Sequence, residues 1–255
     1  MHSSNKLIFI AELIGTFVLV VGATGSIVYN EMLGGIYGIG FIAAGHLVAL
    51  SIAVYAFGKY SMAHFNPAVT IAFFITNHVK GKHLPLYFTA QTIGAFLGSI
   101  FVLFAIGDHA NLGTNYPNLT STVEANISYE ILATIFLMGV IYIVVHFKKL
   151  AMLTGVAIGG IVAIDVLLFG EISGASMNPI RSLAPAAVSG LMIYHWWWYS
   201  DAILSNEMTM SVGTLIVKEV MMDLWLYLTT PFIGTIIVAV IYKALSGRTK
   251  NTSTH

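Results

Sequence analysis

The chain has 255 residues, of which 57% are hydrophobic and only 9% charged, where an ordinary soluble domain carries about a quarter charged. Its formal net charge is zero, which gives no reason to expect a nucleic-acid partner or an acidic substrate. Because there is no cysteine, disulfides, thiolate metal sites and thiol catalysis are excluded.

Taken in chain order, six apolar runs reach the length of about 20 residues that a helix needs to cross a bilayer. They cover residues 7–29, 36–57, 84–106, 127–147, 151–170 and 224–245, so little chain is left for a soluble domain. The first run follows Lys6 but is longer than a signal core and contains Glu12, so it is expected to be a retained span. After the second run comes Ser61-Met-Ala-His64-Phe-Asn66-Pro67-Ala68-Val69-Thr70, and after the fifth Ser173-Gly-Ala175-Ser-Met-Asn178-Pro179-Ile180-Arg181-Ser182. Each opens an apolar stretch too short to span, to about residues 77 and 189, and proline suits the first turn of a helix because its missing N–H is not needed there. Each is predicted to be a half-helix dipping in from one face, the two entering from opposite faces and meeting near the midplane. Residues 190–223 form a long connection containing Tyr194-His195-Trp196-Trp197-Trp198-Tyr199 and a later Leu215-Ile-Val-Lys-Glu-Val stretch. An interfacial aromatic anchor followed by a helix on the outer leaflet is expected, with a lid over the pore mouth or a subunit contact as the alternative.

Two internal matches divide the chain. Glu12, Thr16 and Leu19 superpose on Glu130, Thr134 and Leu137, and the two Asn-Pro segments superpose on each other. Each unit, about 7–106 and 127–245, holds three spans, an odd number, so the second copy lies upside down: an inverted repeat. The expected fold is an all-α membrane protein with six transmembrane helices plus two re-entrant half-helices, forming one domain over 1–255. Lys6, Lys59, Lys80, Lys82, Lys148, Lys149, Lys243, Arg248 and Lys250 fall at the termini and in alternate loops, which places those loops and both termini on the cytoplasmic side.

The chemistry follows from the half-helices. Each N-terminus carries about half a positive charge, and two of them facing one point repel cations there, while the amides of Asn66 and Asn178 donate to a permeating oxygen. Arg181, an intramembrane cation, marks a pathway. The carboxylates of Glu12 and Glu130 within spans are read either as proton relays or as supports for the re-entrant loops. The nine histidines show no metal-ligand spacing and no nucleophile–base pair stands out, so neither a cofactor, a metal nor an enzyme is expected. An ion-coupled secondary transporter also has inverted repeats and broken helices, but only Glu12, Glu130 and Asp165 lie within the spans as possible coupling groups.

On the residues just quoted, together with Ala11-Glu12-Leu-Ile-Gly15-Thr16 opening the first span, the chain resembles the aquaporin (major intrinsic protein) family over nearly its whole length. The second signature reads Asn-Pro-Ile where that family usually has Asn-Pro-Ala, and a local repacking around Ile180 is expected. The resemblance implies a passive pore for water and other small neutral solutes in a homotetramer, within the lipid of a cell membrane. It implies that Glu12 and Glu130 accept hydrogen bonds from the re-entrant loop of their own half, that His64 braces its loop, and that the narrow outer filter consists of His46, Val166, Ala175 and Arg181. A neutral His46 ring is expected beside Arg181. Histidine first and small residues at the next two positions resemble the tonoplast intrinsic proteins, which pass ammonia and urea; the sequence around Val166 resembles the nodulin-26-like group, which passes glycerol and metalloids. A strictly water-selective pore is the alternative.

Overall fold

The structure is a computed structural model and describes residues 4–118, 120–204 and 222–252. Six helices in it are long and apolar enough to cross a membrane. They are α1 (Asn5–Met32), α2 (Gly38–Ser61), α4 (Leu84–Ala105), α6 (Val123–His146), α7 (Thr154–Ser173) and α9 (Leu224–Thr252). Between them lie α3 (Pro67–Ile75), a single turn α5 (Ala110–Gly113) and α8 (Pro179–Leu204). The six expected spans are all present, five of them within four residues of their sequence-derived bounds and the sixth running on from 245 to Thr252. Side-chain caps set several starts: Ser4 Oγ accepts from the Leu7 amide at 3.3 Å and Thr122 Oγ1 from the Ala125 amide at 3.2 Å, each satisfying one of the otherwise unpaired first-turn donors.

The duplication read from the sequence is a duplication of packing. Helix α1 packs on α2 and α4, and α6 packs on α7 and α9, while α2 meets α7 where the halves join. The short helices cross over: α3 packs on α9 of the other half, and α8 on α4. Matching close approaches hold each half together. A Cβ on Gly94 of α4 would stand 2.2 Å from the Leu13 carbonyl oxygen of α1, and one on Gly234 of α9 would stand 2.7 Å from the Ile131 carbonyl oxygen of α6. Small residues at such crossings let helices pack through van der Waals contact where lipid removes most of the hydrophobic driving force.

One expectation is corrected. The second short helix does not end near residue 189: α8 runs from Pro179 to Leu204, through the backbone of the aromatic run. After Pro179, which opens the helix, the residues of lowest helix propensity before that run are Pro185 and Gly190, and glycine weakens a helix by only about 1 kcal/mol without forcing it to stop. The expected interfacial helix from Leu215, and most of the 190–223 connection, lie outside the described residues.

Candidate functional site

The two loops entering the membrane are built alike. Helix α2 ends at Met62 with φ 69°, followed by Ala63 at 53° and Phe65 at 48°; α7 ends at Gly174 with φ 84°, followed by Ala175 at 42° and Met177 at 54°. Left-handed backbone at a non-glycine residue costs roughly 1 kcal/mol or more, so the surroundings must hold these loops in place. A buried carboxylate does so in each half. Glu12 accepts from Ser61 Oγ (2.6 Å), the His64 amide (2.9 Å) and the Phe65 amide (2.8 Å). Glu130 accepts from Ser173 Oγ (3.0 Å), the Ser176 amide (2.9 Å) and the Met177 amide (3.1 Å). Tyr87 and Tyr227 complete the pattern, each donating its hydroxyl at 2.7 Å to the carbonyl of Ser61 or Ser173. Glu12 has a further donor, Gln91 Nε2 at 2.8 Å.

The loops meet at their asparagines. Asn66 caps α3 by accepting the Ala68 amide on Oδ1 (2.8 Å) and donates from Nδ2 to the Met177 carbonyl (2.7 Å). Asn178 accepts the Ile180 amide (3.2 Å) and donates to the Phe65 carbonyl (2.9 Å). Each Nδ2 carries two hydrogens, so one remains on each side chain after the bridge between halves is made. Pro67 and Pro179 occupy the first helical positions. Ile180 is turned into a packed cluster with Val20, Ala95 and Ala184, which absorbs its extra bulk away from the asparagines.

Two cavities lie on either side of one pair of residues. An outer cavity of about 570 Å³ is lined by Ile39, Asn115, Val166, Glu171 and Arg181 among others, and an inner one of about 40 Å³ by Leu50, His64, Asn66, Leu137, Val162 and Asn178 among others; His46 and Arg181 line both. At 10–15 Å³ of occupied volume per water, the inner space holds about three waters. Apolar side chains form most of its wall, with His46, His64, Asn66, Ser176, Asn178 and Arg181 as polar contributors. Ala175, 1% exposed, lies between Gly174 of the outer lining and Ser176 of the inner one and lines neither cavity.

The polar groups at this junction are oriented by the protein. His46 Nδ1 is 2.9 Å from the Ile42 carbonyl. A carbonyl only accepts, so Nδ1 carries the hydrogen and Nε2 of the neutral ring presents a lone pair; Nε2 finds no partner among the described residues. Arg181, 2% exposed, donates from Nη1 to Asn115 Oδ1 and to the Gly113 carbonyl (3.4 Å). Asn115 also accepts from Ser182 Oγ (2.8 Å) and donates to the Gly174 carbonyl (2.6 Å). An acceptor and a donor therefore face the same passage. His64 is stacked between Phe73 and Tyr87 at centroid distances of 4.6 and 4.5 Å, with Nδ1 3.1 Å from Thr70 Oγ1, and it also lines the inner cavity. Glu12 and Glu130 line neither cavity. Among the described residues no cluster of histidine and carboxylate groups has metal-site geometry.

The residues missed from the sequence are Asn115, Gln91, Tyr87 and Tyr227. Tyr87 and Tyr227 had a signal, since each sits near the start of the third span of its half. Asn115 had none: it is one asparagine in a polar connection, 66 residues from the arginine it holds.

The model of the major intrinsic protein family matches residues 1–242. The chain belongs to the major intrinsic protein family. Among curated relatives it is 34% identical to the probable aquaporin NIP7-1 of Arabidopsis thaliana, over 95% of this chain and 78% of the relative. It is 33% identical to nodulin-26 of Glycine max, over 96% of this chain and 82% of the relative. Among solved structures, the aquaglyceroporin from Plasmodium falciparum superposes with a TM-score of 0.75 at 24% identity, covering 94% of this chain and 96% of that one, a likeness of fold. As a member of the family this chain is an integral membrane channel for water and small neutral solutes and not an enzyme.

Proposed function

We propose that the pore runs through the outer cavity, past His46 and Arg181, and past Asn66 and Asn178 into the inner cavity, conducting water together with neutral solutes of the size of glycerol, urea or ammonia while excluding protons and ions. The observation that carries this reading is the sharing of His46 and Arg181 by both cavities. A fixed cation there, with two half-helix N-termini behind it, opposes cation entry. The hydrogen left on each asparagine Nδ2 donates to a passing oxygen, which turns a single file of water so that it does not relay protons.

His46, Val166, Ala175 and Arg181 act as the filter, with Val166 giving an apolar wall where a strict water channel has a polar ring. The nodulin-26-like sequence around Val166 points to glycerol, whereas the His46 position points to ammonia and urea. Glu12 and Glu130 support the loops: their oxygens are occupied by loop donors, which argues against ion coupling through them. Both termini lie on the cytoplasmic side, as the lysine distribution favours. The chain assembles as a homotetramer in a cell membrane, and exposed apolar side chains such as Phe101, Phe104, Ile143 and Leu168 meet lipid or a neighbouring copy.

Stopped-flow measurements on proteoliposomes with water, glycerol, urea and ammonia test this. Fluxes linear in the solute gradient and indifferent to imposed pH and sodium gradients are expected. Flux of water alone leaves a water-selective pore; flux driven by either ion gradient contradicts the channel.

A further inference from the structure

At the face opposite the outer cavity, three segments distant in sequence enclose a third cavity of about 490 Å³. Asn5 and Ile8 come from the start of α1, Lys59, Tyr60, Ser61 and Met62 from the end of α2, and Asn77, His78, Val79, Lys80, Lys82 and His83 from the connection between α3 and α4, with Tyr87 behind them. The lining contains three lysines and two histidines and no carboxylate. Its size falls within the range of about 300–1,000 Å³ usual for ligand sites.

We propose that this cavity binds a phosphate-bearing anion, with the phosphate of an anionic lipid headgroup or free phosphate as the two sources. Three observations carry the assignment. The charges converge although they are about twenty residues apart in the chain, whereas keeping lysines on the inner side of the membrane requires no convergence; Lys149, on the other basic loop, is not among the lining residues. The cluster also breaks the internal duplication, because the repeat position matching Lys59 is Glu171, so the fold itself does not demand a cation there. The neighbouring groups suit a headgroup, with Tyr60 and the amides Asn5 and Asn77 in the lining and Lys59 Nζ over the Tyr60 ring at 4.8 Å from its centroid. A basic pocket between spans on the inner face is the arrangement that recognises anionic lipid headgroups.

The site touches the pore scaffold at both ends of one re-entrant segment. Ser61 and Met62 precede Asn66, and Asn77, His78 and Val79 follow α3. A bound phosphate drawing Lys59 toward Lys80 and Lys82 ties the entry and exit of that segment together.

The test uses the purified full-length chain in neutral detergent, titrated with phosphatidic acid, phosphatidylcholine or inorganic phosphate at matched ionic strength, with bound lipid counted by native mass spectrometry and thermal stability followed in parallel. Selective retention of phosphatidic acid over phosphatidylcholine is expected. Affinity should fall about fivefold for each lysine neutralised, thus by about a hundredfold in Lys59→Gln/Lys80→Gln/Lys82→Gln and not at all in Lys149→Gln. Should the triple variant fail to fold, as judged by water permeability in phosphatidylcholine vesicles, Lys80→Gln/Lys82→Gln on the exposed loop serves instead. Stabilisation by phosphatidic acid alone identifies the lipid as the source, and stabilisation by inorganic phosphate as well identifies a free-anion site. Equal binding of phosphatidic acid and phosphatidylcholine, or anion binding undiminished in the lysine variants, overturns the proposal.

Discussion

Asn115 accepts a hydrogen bond from the Arg181 guanidinium while its own amide donates to the Gly174 carbonyl at 2.6 Å. One side chain in the outer connection thus fixes both the cation and the turn that leads into the second re-entrant loop. Asn115→Ala leaves Arg181 with the Gly113 carbonyl alone and the Gly174 carbonyl without its donor, a loss of about 1–3 kcal/mol. We expect a lower unfolding midpoint in detergent and a higher solute-to-water flux ratio, because an arginine free to swing no longer narrows the passage. Stopped-flow and thermal melts of Asn115→Ala check this; a variant identical to the wild type in both separates Arg181 from Asn115.

Val166→His puts a bulky polar ring beside His46 and Arg181, where Val166 is 3% exposed and lines the outer cavity. Glycerol and urea fluxes should fall about tenfold while water falls much less, since a rigid passage excludes by size before it slows its smallest permeant. Solute-to-water ratios in this variant and in His46→Ala check the proposed filter, and unchanged ratios in both move selectivity elsewhere.

With no cysteine in the chain, water flux should be insensitive to mercurials. Ala175→Cys should confer inhibition, reversed by thiol reductant, because the proposed filter places residue 175 at the constriction, where its chain neighbours Gly174 and Ser176 line the outer and the inner cavity. Swelling assays with and without mercury check it. A substituted channel that stays insensitive moves residue 175 out of the filter.

His78 lies in the connection after α3, with Nδ1 2.8 Å from Thr76 Oγ1 and its ring edge-on to Phe73 at 5.4 Å. Burial holds its pKa below the usual value of 6.5, so the unfolded chain binds the proton more readily than the folded one. Stability is therefore complete above about pH 6.5 and declines as pH falls from there toward the lower folded value. Lys59, Lys80, Lys82 and His83 line the same cavity as His78. Unfolding midpoints at pH 7.5 and 5 should differ more in the wild type than in His78→Gln.

How much of this was legible in the sequence depended on whether a feature repeats. The spans showed because apolar length is local, and the paired glutamates and Asn-Pro segments showed because a duplicated residue is its own control: Glu12 and Glu130 each sit behind their own loop. Gln91 has no counterpart among the donors to Glu130 and left no trace in the pattern. The length of α8 escaped for another reason. The aromatic run from Tyr194 to Tyr199 suggests an interface anchor by its composition, but composition says what a segment meets and not whether its backbone continues a helix.

A pore of this design passes water where protons do not. Proteoliposomes loaded with a pH-sensitive dye and given an osmotic step and a proton gradient together report both fluxes from one preparation. We predict rapid water flux with a proton leak no greater than in empty vesicles, because Asn66 and Asn178 both donate to the oxygen of the water passing between them, which turns the file in opposite senses on its two sides and breaks the proton relay, while Arg181 repels cations. A proton leak that rises in proportion to water flux across preparations of different protein content contradicts that arrangement.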